Sequence, residues 1–267
     1  MQPVIDIHTG REPDVPITLY TFAMSPYAWK VHSCLLYKRL SFQCFYVNPL
    51  RMGKQLPVGK QVPVLRIGDE YRSDSTPICS WLDDAFPDRP RLVPTDPGDR
   101  DRVLEIDRWV SDRLIPGTFR AIPGDGVTWS RIRNGWRLAA VMNQTAHGGF
   151  PWPLRAAWPL ILSQLGFLRR ARAMTDHWLS IEDANAQLYA ELREHLGDGP
   201  FLGGQSAPTL ADLGAYAQLV MPLRAGMRRA DGFMKYATLV EWTERVESRL
   251  AASPPVMPDI ACPHGNR

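Results

Sequence analysis

Segments with strand character occur only in the first third of this 267-residue chain, and this asymmetry constrains the fold more than any other feature. Short runs rich in β-branched and aromatic residues predict four strands, at 17–22, 41–47, 61–67 and 70–72. Apolar residues recur at helical spacing from Tyr27 to Leu35 and again over 75–86. The resulting order, β-α-β-β-β-α, predicts an α/β layer in which helices pack on a small mixed sheet.

A proline- and charge-rich stretch separates this layer from the rest of the chain. Residues 93–101 (VPTDPGDRD) have no apolar periodicity, which is typical of a linker. The segments beyond it have helical patterns, at 102–114, 131–142, 175–196, 209–220 and 239–250. We therefore predict the following units: an arm at 1–15, an α/β domain at 16–93, a linker at 94–101, an all-helical domain at 102–250 with an insert near 130–175, and a tail at 251–267.

Composition excludes several classes of protein. With 45% hydrophobic and 22% charged residues, the chain can bury a sizeable core and is not disordered. Its net charge of +3 comes from 31 cationic and 28 anionic residues without a long basic run, which argues against nucleic-acid binding. Residues 150–168 are rich in Trp, Leu and Ile, but their longest uncharged part, 156–168, is shorter than the roughly 20 residues of a membrane span. We predict a buried or pocket-lining segment there and do not expect membrane contact, with an interfacial anchor as the open alternative.

Neither the cysteines nor the histidines have metal-ligand spacing. No C-x-x-C pair occurs among the four cysteines, which are Cys34, Cys44, Cys79 and Cys262. The first three lie in apolar segments, which predicts buried free thiols and suits a reducing compartment. His147 and His177 lack paired ligands, so we predict no metal site. Residues 1–11 have no basic start followed by an apolar core, so we expect no secretory signal and a cytoplasmic protein.

Four motifs, in this order, resemble those of the cytosolic glutathione transferase superfamily. The first motif, at 25–47, resembles the first helix and second strand of the serine-type members, of tau-like or bacterial kind. Its sequence is SPYAWKVHSCLLYKRLSFQCFYV. The superfamily's cis-proline strand resembles QVPVL at 61–65, and its acid-serine motif and third helix resemble DSTPICSWLDDAFPDRP at 74–90. Its signature around a buried capping box resembles GPFLGGQSAPTLADLGAYAQL at 199–219. The resemblance implies a thioredoxin-like N-terminal domain followed by a helical bundle.

The resemblance also implies that glutathione is the co-substrate and that Ser25 activates its thiol. Lowering a thiol pKa from about 8.5 to about 6.5 requires roughly 2.7 kcal/mol of thiolate stabilisation. A hydroxyl hydrogen bond to an anion supplies about 1.5–3 kcal/mol, and a helix N-terminus adds about 0.3–1 kcal/mol. Ser25 followed by Pro26 is also an ordinary helix start, so a purely capping role remains open. Serine rather than cysteine at this position favours conjugation or thiolytic cleavage over mixed-disulfide reduction.

The acid-serine motif would hold the γ-glutamyl end of glutathione. Asp74 would receive the ammonium group, and Ser75, where a helix begins, would bind the carboxylate with its hydroxyl and the nearby backbone N–H groups. A plain Asp-Ser helix cap without a ligand is the competing interpretation.

The cis-proline strand would hold the rest of the tripeptide. Val62 and Pro63 match the position at which the family pairs its backbone with glutathione as with an added strand. Gln61 would contact the glycyl side or the backbone, and Lys54 and Lys60 are weaker candidates for the glycyl carboxylate.

Tyr27 and Trp109 are candidates for the pocket of the second substrate. The aromatic insert offers further candidates in Phe150, Trp152 and Trp158, although aromatic residues at such spacing are also typical of ordinary core. The insert itself could form a lid or an enlarged pocket.

Thr209 and Asp212 fit a capping box that begins a central helix of the second domain, and we predict a structural role for both.

Two hypotheses about function remain from the sequence. The first is a detoxification-type transferase, a homodimer without metal, that joins the glutathione thiolate to an electrophilic and largely apolar small molecule. Conjugation, thiolytic ether cleavage and isomerisation all use the same thiolate. The alternative is a non-catalytic glutathione-binding or metaxin-like interaction protein of the same fold, and the hydrophobic insert keeps it open.

Overall fold

The computed structural model describes residues 4–10, 13–120, 129–145, 149–161, 164, 166–175, 177, 180–227 and 230–251. Five strands form one sheet: β1 Val4–Ile7, β2 Ile17–Thr21, β3 Phe42–Tyr46, β4 Val64–Ile67 and β5 Glu70–Ser73. Their spatial order is β1-β3-β2-β4-β5. β2 and β3 run parallel, whereas the other neighbouring pairs are antiparallel. The small mixed sheet that the sequence predicts is therefore present.

The arm predicted at 1–15 contains a strand that the sequence analysis did not identify. β1 pairs antiparallel with β3, with Ile5 opposite Cys44 and Ile7 opposite Phe42. A four-residue strand has too short a pattern to be distinguished from extended coil. Its ladder with a strand 35 or more residues away is a long-range contact that local sequence does not reveal.

Three helices belong to the α/β layer: α1 Pro26–Tyr37, α2 Met52–Gln55 and α3 Ser75–Ala85. Eleven of the twelve residues of α1 are buried, because α1 packs against β2 and α3 and also against the helical domain. This central position explains why α1 carries buried polar side chains, Lys30 and His32 among them, beside its apolar residues.

A buried ion pair anchors the connection between the domains. The Lys38 ammonium lies 2.8 Å from the Asp83 carboxylate and donates to the Pro90 carbonyl at 3.0 Å. Asp83 also accepts from the backbone N–H groups of Leu92, at 3.0 Å, and Val93, at 2.9 Å. The chain therefore leaves α3 in a fixed direction.

The linker predicted at 94–101 is shorter than expected, because a helix begins at Pro97. The Asp96 carboxylate accepts from the Asp99 backbone N–H at 3.0 Å, and Pro97 occupies the first turn. An acidic cap followed by proline is a helix start. The solvent-exposed first turn of α4 has no apolar residues, so its sequence pattern resembled that of a loop.

The helices of the second domain are α4 Pro97–Trp109, α5 Ile115–Arg120, α6 Trp129–Thr145, α7 Trp152–Ile161, α8 Gly166–Met174, α9 Ile181–Leu196, α10 Leu210–Arg224 and α11 Ala237–Ser248. A π-helical stretch, Val110–Leu114, joins α4 to α5. The insert predicted near 130–175 thus holds α6, α7 and α8. The helix predicted from residue 175 begins later, since Ser180 caps α9 by accepting from the Asp183 N–H at 3.1 Å.

α10 is the central helix of this domain and packs against α1. The capping box of Thr209 and Asp212 is present at its start. The buried Asp212 carboxylate accepts from the Thr209 N–H at 2.9 Å and hydroxyl at 3.0 Å. It also accepts from the Leu202 N–H at 2.9 Å and the Trp242 indole at 3.0 Å. One side chain therefore joins the loop before α10 to α11.

The predicted fold class, an α/β layer of thioredoxin-like kind followed by a helical bundle, is confirmed. Cys34, Cys44 and Cys79 are buried free thiols, as predicted, and the sulfur atoms of Cys34 and Cys79 lie 3.3 Å apart. Cys262 and His147 lie outside the described residues. Within the described part of the chain, no helix combines the length and apolar character needed to cross a bilayer.

Candidate functional site

A cleft of about 900 Å³ lies between the two domains. The α/β layer contributes the chain before β4 and the junction of β5 with α3, together with Tyr27 of α1; the residues are Tyr27, Gly59, Lys60, Gln61, Val62, Pro63, Ser73, Asp74, Ser75 and Thr76. The helical domain contributes α4, the π-helical stretch, α5 and α8; the residues are Leu104, Asp107, Arg108, Ser111, Asp112, Pro116, Arg170, Ala171 and Met174.

The segment before β4 reaches the cleft with a cis peptide bond between Val62 and Pro63. Pro63 is buried at the start of the strand, whereas Gln61 is exposed to the cleft. The structure thus brings Gln61, Val62 and Pro63 to one wall, where an extended backbone can pair with a peptide. Lys60 lies beside them, but Lys54 lies outside the cleft, in a separate surface depression.

Asp74 joins β5 to α3 in a left-handed backbone conformation, with φ at 74°. Such a conformation costs a non-glycine residue about 1–3 kcal/mol and occurs preferentially at functional sites. The Asp74 side chain makes no capping hydrogen bond, so its exposed carboxylate faces the cleft without capping α3.

The N-terminus of α3 also faces this cleft. The first intrahelical bond runs from the Ile78 N–H to the Asp74 carbonyl at 3.1 Å, so the N–H groups of Ser75 and Thr76 have no intrahelical acceptor. Ser75 itself is buried at the base of the cleft. Unpaired N–H groups and the helix dipole make this end of α3 suitable for a carboxylate.

A buried ionic network lies under the same junction and connects three helices. The Lys30 ammonium of α1 lies 2.6 Å from the Asp107 carboxylate of α4 and 3.0 Å from the Thr76 hydroxyl of α3. That hydroxyl donates to the second Asp107 oxygen at 2.7 Å. Burial lowers the pKa of Lys30, but the adjacent Asp107 carboxylate, together with Cys79 and Cys34, more than offsets this and the net pKa is raised. Lys30 is therefore charged and joins the two walls of the cleft.

Ser25 begins α1 and is not among the residues that line the cleft. Its hydroxyl oxygen accepts from the Ala28 N–H at 3.3 Å, and only 8% of its surface is exposed. The capping role that the sequence allows is therefore present. An O–H group that accepts through its oxygen still has its proton to donate.

Tyr27 lines the cleft two residues further along, and its hydroxyl donates to the Ser111 carbonyl at 3.5 Å. Burial and the nearby carboxylates of Asp112 and Asp74 raise its pKa above the usual value of 10.0. Tyr27 thus remains protonated at neutral pH and is a hydrogen-bond donor rather than a base.

The expectation that Trp109 lines the second pocket needs correction. Its indole donates to the Glu191 carboxylate of α9 at 2.7 Å and lies edge-on to His195, because Trp109 is on the side of α4 that packs against α9.

The described aromatic candidates of the insert, Phe150, Trp152 and Trp158, are not among the residues that line the cleft either. Phe150 and Trp158 form a buried T-shaped pair with centroids 5.0 Å apart, whereas Trp152 is exposed. The alternative interpretation as core is therefore correct for Phe150 and Trp158.

Sequence reasoning missed the helical wall of the cleft and the Lys30 network. Leu104, Pro116, Ala171 and Met174 give this wall an apolar part, while Arg108, Asp112 and Arg170 give it charge. No motif marks these residues, because only tertiary packing brings α4 and α8 to the same cleft. Among the described residues, no group of three His, Cys, Asp or Glu side chains is placed to hold a metal ion.

Comparisons with known proteins agree with this geometry. Residues 19–90 match a family model described as the N-terminal domain of glutathione S-transferases. Pyrimidodiazepine synthase of Drosophila melanogaster is 34% identical over 124 residues, which are 42% of this chain and 46% of that protein. Protein LigF of Sphingobium is 24% identical over 252 residues, which are 88% of this chain and 91% of LigF.

Solved structures extend the likeness of fold to both domains. Human glutathione transferase theta-2, solved with glutathione, has a TM-score of 0.56 at 23% identity over 87% of this chain and 82% of that structure. The beta-etherase LigF has a TM-score of 0.55 over 91% of this chain and 98% of the LigF structure. At these identities the structures establish the fold of both domains. The sequence match spans less than half the length of the Drosophila relative.

Proposed function

We propose that this chain, whose residues 19–90 match the N-terminal domain of glutathione S-transferases, binds glutathione in the interdomain cleft and activates its thiol for attack on a small electrophile. The observation that carries the proposal is the assembly of one wall from two separate motifs, Gln61-Val62-Pro63 and Asp74-Ser75. These motifs are separated in sequence by β4 and β5.

The two motifs suit opposite ends of the tripeptide. The start of α3 offers N–H groups to the γ-glutamyl carboxylate, while the unengaged Asp74 carboxylate receives the ammonium group. The backbone of Val62 pairs with the extended peptide, with Gln61 and Lys60 toward the glycyl end.

Ser25 is the proposed thiol-activating residue. Because the Ala28 N–H holds its oxygen in place, the hydroxyl proton is free to donate to a thiolate at the start of α1. Tyr27, which is protonated and lines the cleft, is better suited to positioning the second substrate. The reaction begins with loss of the thiol proton to solvent; the thiolate then attacks the electrophilic carbon and displaces its leaving group.

The second substrate lies against the helical wall. Leu104, Pro116 and Met174 suit an apolar body, and Arg108 and Arg170 suit a polar or anionic substituent. Thiolytic cleavage of an ether is included in the proposal because the relative LigF is described as a beta-etherase. A detoxification role, a cytoplasmic location and a two-fold homodimer complete the proposed function.

The first test is calorimetric titration of the full chain with glutathione. Asp74→Asn removes the charge but tolerates the left-handed backbone, and we expect about tenfold or greater loss of affinity. Asp69→Ala, at the exposed β4–β5 turn, is the matched control and keeps wild-type affinity. Wild-type protein that releases no heat with glutathione contradicts the proposal.

Turnover with an activated aryl chloride and with a β-aryl ether separates the two enzymatic reactions. Tight glutathione binding without turnover of either substrate favours the non-catalytic alternative, whereas turnover of the ether alone assigns thiolytic cleavage.

A further inference from the structure

One part of the helical domain has a charge composition unlike the rest of the chain. Residues 126–175, here called the acid-free segment, contain seven arginines and no aspartate, glutamate or lysine. Subtracting this +7 from the chain's formal +3 leaves −4 on the other residues. The even mixture of charges over the whole chain therefore conceals a strongly basic segment, which forms α6, α7 and α8.

The same segment exposes large apolar side chains. Trp129 is 63% exposed and Trp136 47% on α6, and Trp152 is 72% exposed and Leu160 69% on α7. Single exposed apolar residues are common on protein surfaces, but a contiguous group of this kind marks an interaction site.

Contacts between α6 and α7 make these side chains one surface. The rings of Trp129 and Trp136 form a T-shaped pair with centroids 6.2 Å apart. The Trp136 indole donates to the Ala156 carbonyl at 3.2 Å. Ala156 lies four residues after Trp152 and four before Leu160, on the same side of α7. Arg133 and Arg155 are exposed beside them. We call this surface the Trp-Arg face: Trp129, Arg133, Trp136, Trp152, Arg155 and Leu160.

The opposite side of this helix pair is already filled. A side chain at Gly135 would meet the Pro159 Cα at 2.6 Å, so the two helices are in backbone contact there. Phe150 and Trp158 are packed inside. The Trp-Arg face is therefore the outer surface of a closely packed helix pair, and its tryptophans are not part of the packing between the two helices.

We propose that the Trp-Arg face binds an anionic lipid bilayer surface, as a peripheral contact parallel to the membrane. Tryptophan rings reside in the interfacial layer of a membrane, and guanidinium groups bind lipid phosphates in bidentate fashion. Arg133 and Arg155 form no ion pair with any described residue and are available for this. A second copy of the chain is a poorer occupant, because the arginines of two such faces would repel each other. The inference does not depend on the proposed transferase activity.

Co-sedimentation of the full chain with lipid vesicles tests this directly. We expect binding to vesicles of phosphatidylcholine mixed with phosphatidylglycerol and little binding to phosphatidylcholine alone. Because each arginine near an anionic surface contributes about 1 kcal/mol, Arg133→Gln with Arg155→Gln lowers the partition coefficient on the mixed vesicles by roughly tenfold or more. Added salt also lowers the partition coefficient on the mixed vesicles, because it screens the charges.

The apolar part is tested separately with Trp152→Ala combined with Leu160→Ala, which also lowers the partition coefficient by about tenfold or more. Both side chains are exposed, and Trp136 is left intact because its indole contacts α7. Met234→Ala and Arg100→Gln, exposed in other parts of the chain, are the controls and bind as wild type. Circular dichroism and glutathione affinity, both unchanged, show that the variants are folded.

Three results would overturn the inference. The first is equal binding of the wild type to neutral and anionic vesicles, or none to either. The second is unchanged binding in both double variants. The third is weak vesicle binding together with another complex that both double variants abolish. That complex is either a concentration-dependent dimer or a complex with single-stranded RNA, and either one assigns the face to another partner.

Discussion

The buried pair of Lys30 and Asp107 makes the stability of the interdomain junction predictable. Only 4% of either side chain is exposed, and their charged groups lie 2.6 Å apart. Asp107→Ala leaves a buried ammonium without its counter-ion, which costs about 3–5 kcal/mol in the free energy of unfolding. The Thr76 hydroxyl, which donates to Asp107, loses its acceptor at the same time.

The double variant Lys30→Met with Asp107→Leu tests whether the cost comes from the unpaired charge. Replacing a buried ion pair by apolar side chains of similar size is often nearly neutral, so we expect the double variant to lie within about 2 kcal/mol of wild type. Asp112→Ala, an exposed carboxylate on the same wall, is the control and changes stability by less than about 0.5 kcal/mol.

Equilibrium denaturation in urea, read by fluorescence and by circular dichroism, gives the three free energies. A loss below about 1 kcal/mol for Asp107→Ala contradicts the reasoning. So does a double variant as unstable as that single variant, because it would mean that the cavity rather than the unpaired charge causes the loss.

Two further predictions concern buried groups outside the cleft. Burial lowers the pKa of His32 to about 3, so between pH 6.5 and 3 the unfolded chain binds a proton that the folded chain does not. His32 therefore removes about 1.4 kcal/mol of stability per pH unit as the pH falls. In His32→Leu the free energy of unfolding depends less on pH over that range. An unchanged pH dependence refutes the assignment. Asp212→Ala strands three buried N–H groups and a hydroxyl and lowers the free energy of unfolding by roughly 3 kcal/mol or more, while the kcat of the folded fraction is preserved. A stable Asp212→Ala protein that has lost turnover would contradict the structural role.

Local signals predicted the α/β layer well. β2, β3, β4 and β5 have β-branched and aromatic runs bounded by turns, and the sequences Ser25-Pro26 and Asp74-Ser75 indicate where α1 and α3 begin. Among the elements that were missed or shifted, β1 and the start of α4 lack an apolar repeat. β1 is defined by its ladder with β3, and α4 by a polar first turn.

The residues of the candidate site also fall into two groups, those that local motifs mark and those that only tertiary packing brings together. Residues within motifs, from Gln61 to Pro63 and from Asp74 to Ser75, line the cleft, and their contacts with glutathione stay a prediction. The helical wall was not predictable, because Arg108 and Arg170 come from helices 62 residues apart whose proximity is decided by packing. Trp109 was a candidate for the pocket of the second substrate, but its indole donates to Glu191 of α9 instead.

The most direct test of the central claim is the pKa of the glutathione thiol when bound, measured from the ultraviolet absorbance of the thiolate as the pH is varied. A hydroxyl donor at a helix N-terminus predicts a thiol pKa of about 6.5 in the wild-type complex and a return toward about 8.5 in Ser25→Ala. Tyr27→Phe, which removes the other nearby hydroxyl, leaves the thiol pKa low. A bound thiol that titrates near its free value in the wild type, or one that Ser25→Ala leaves unchanged, contradicts the account.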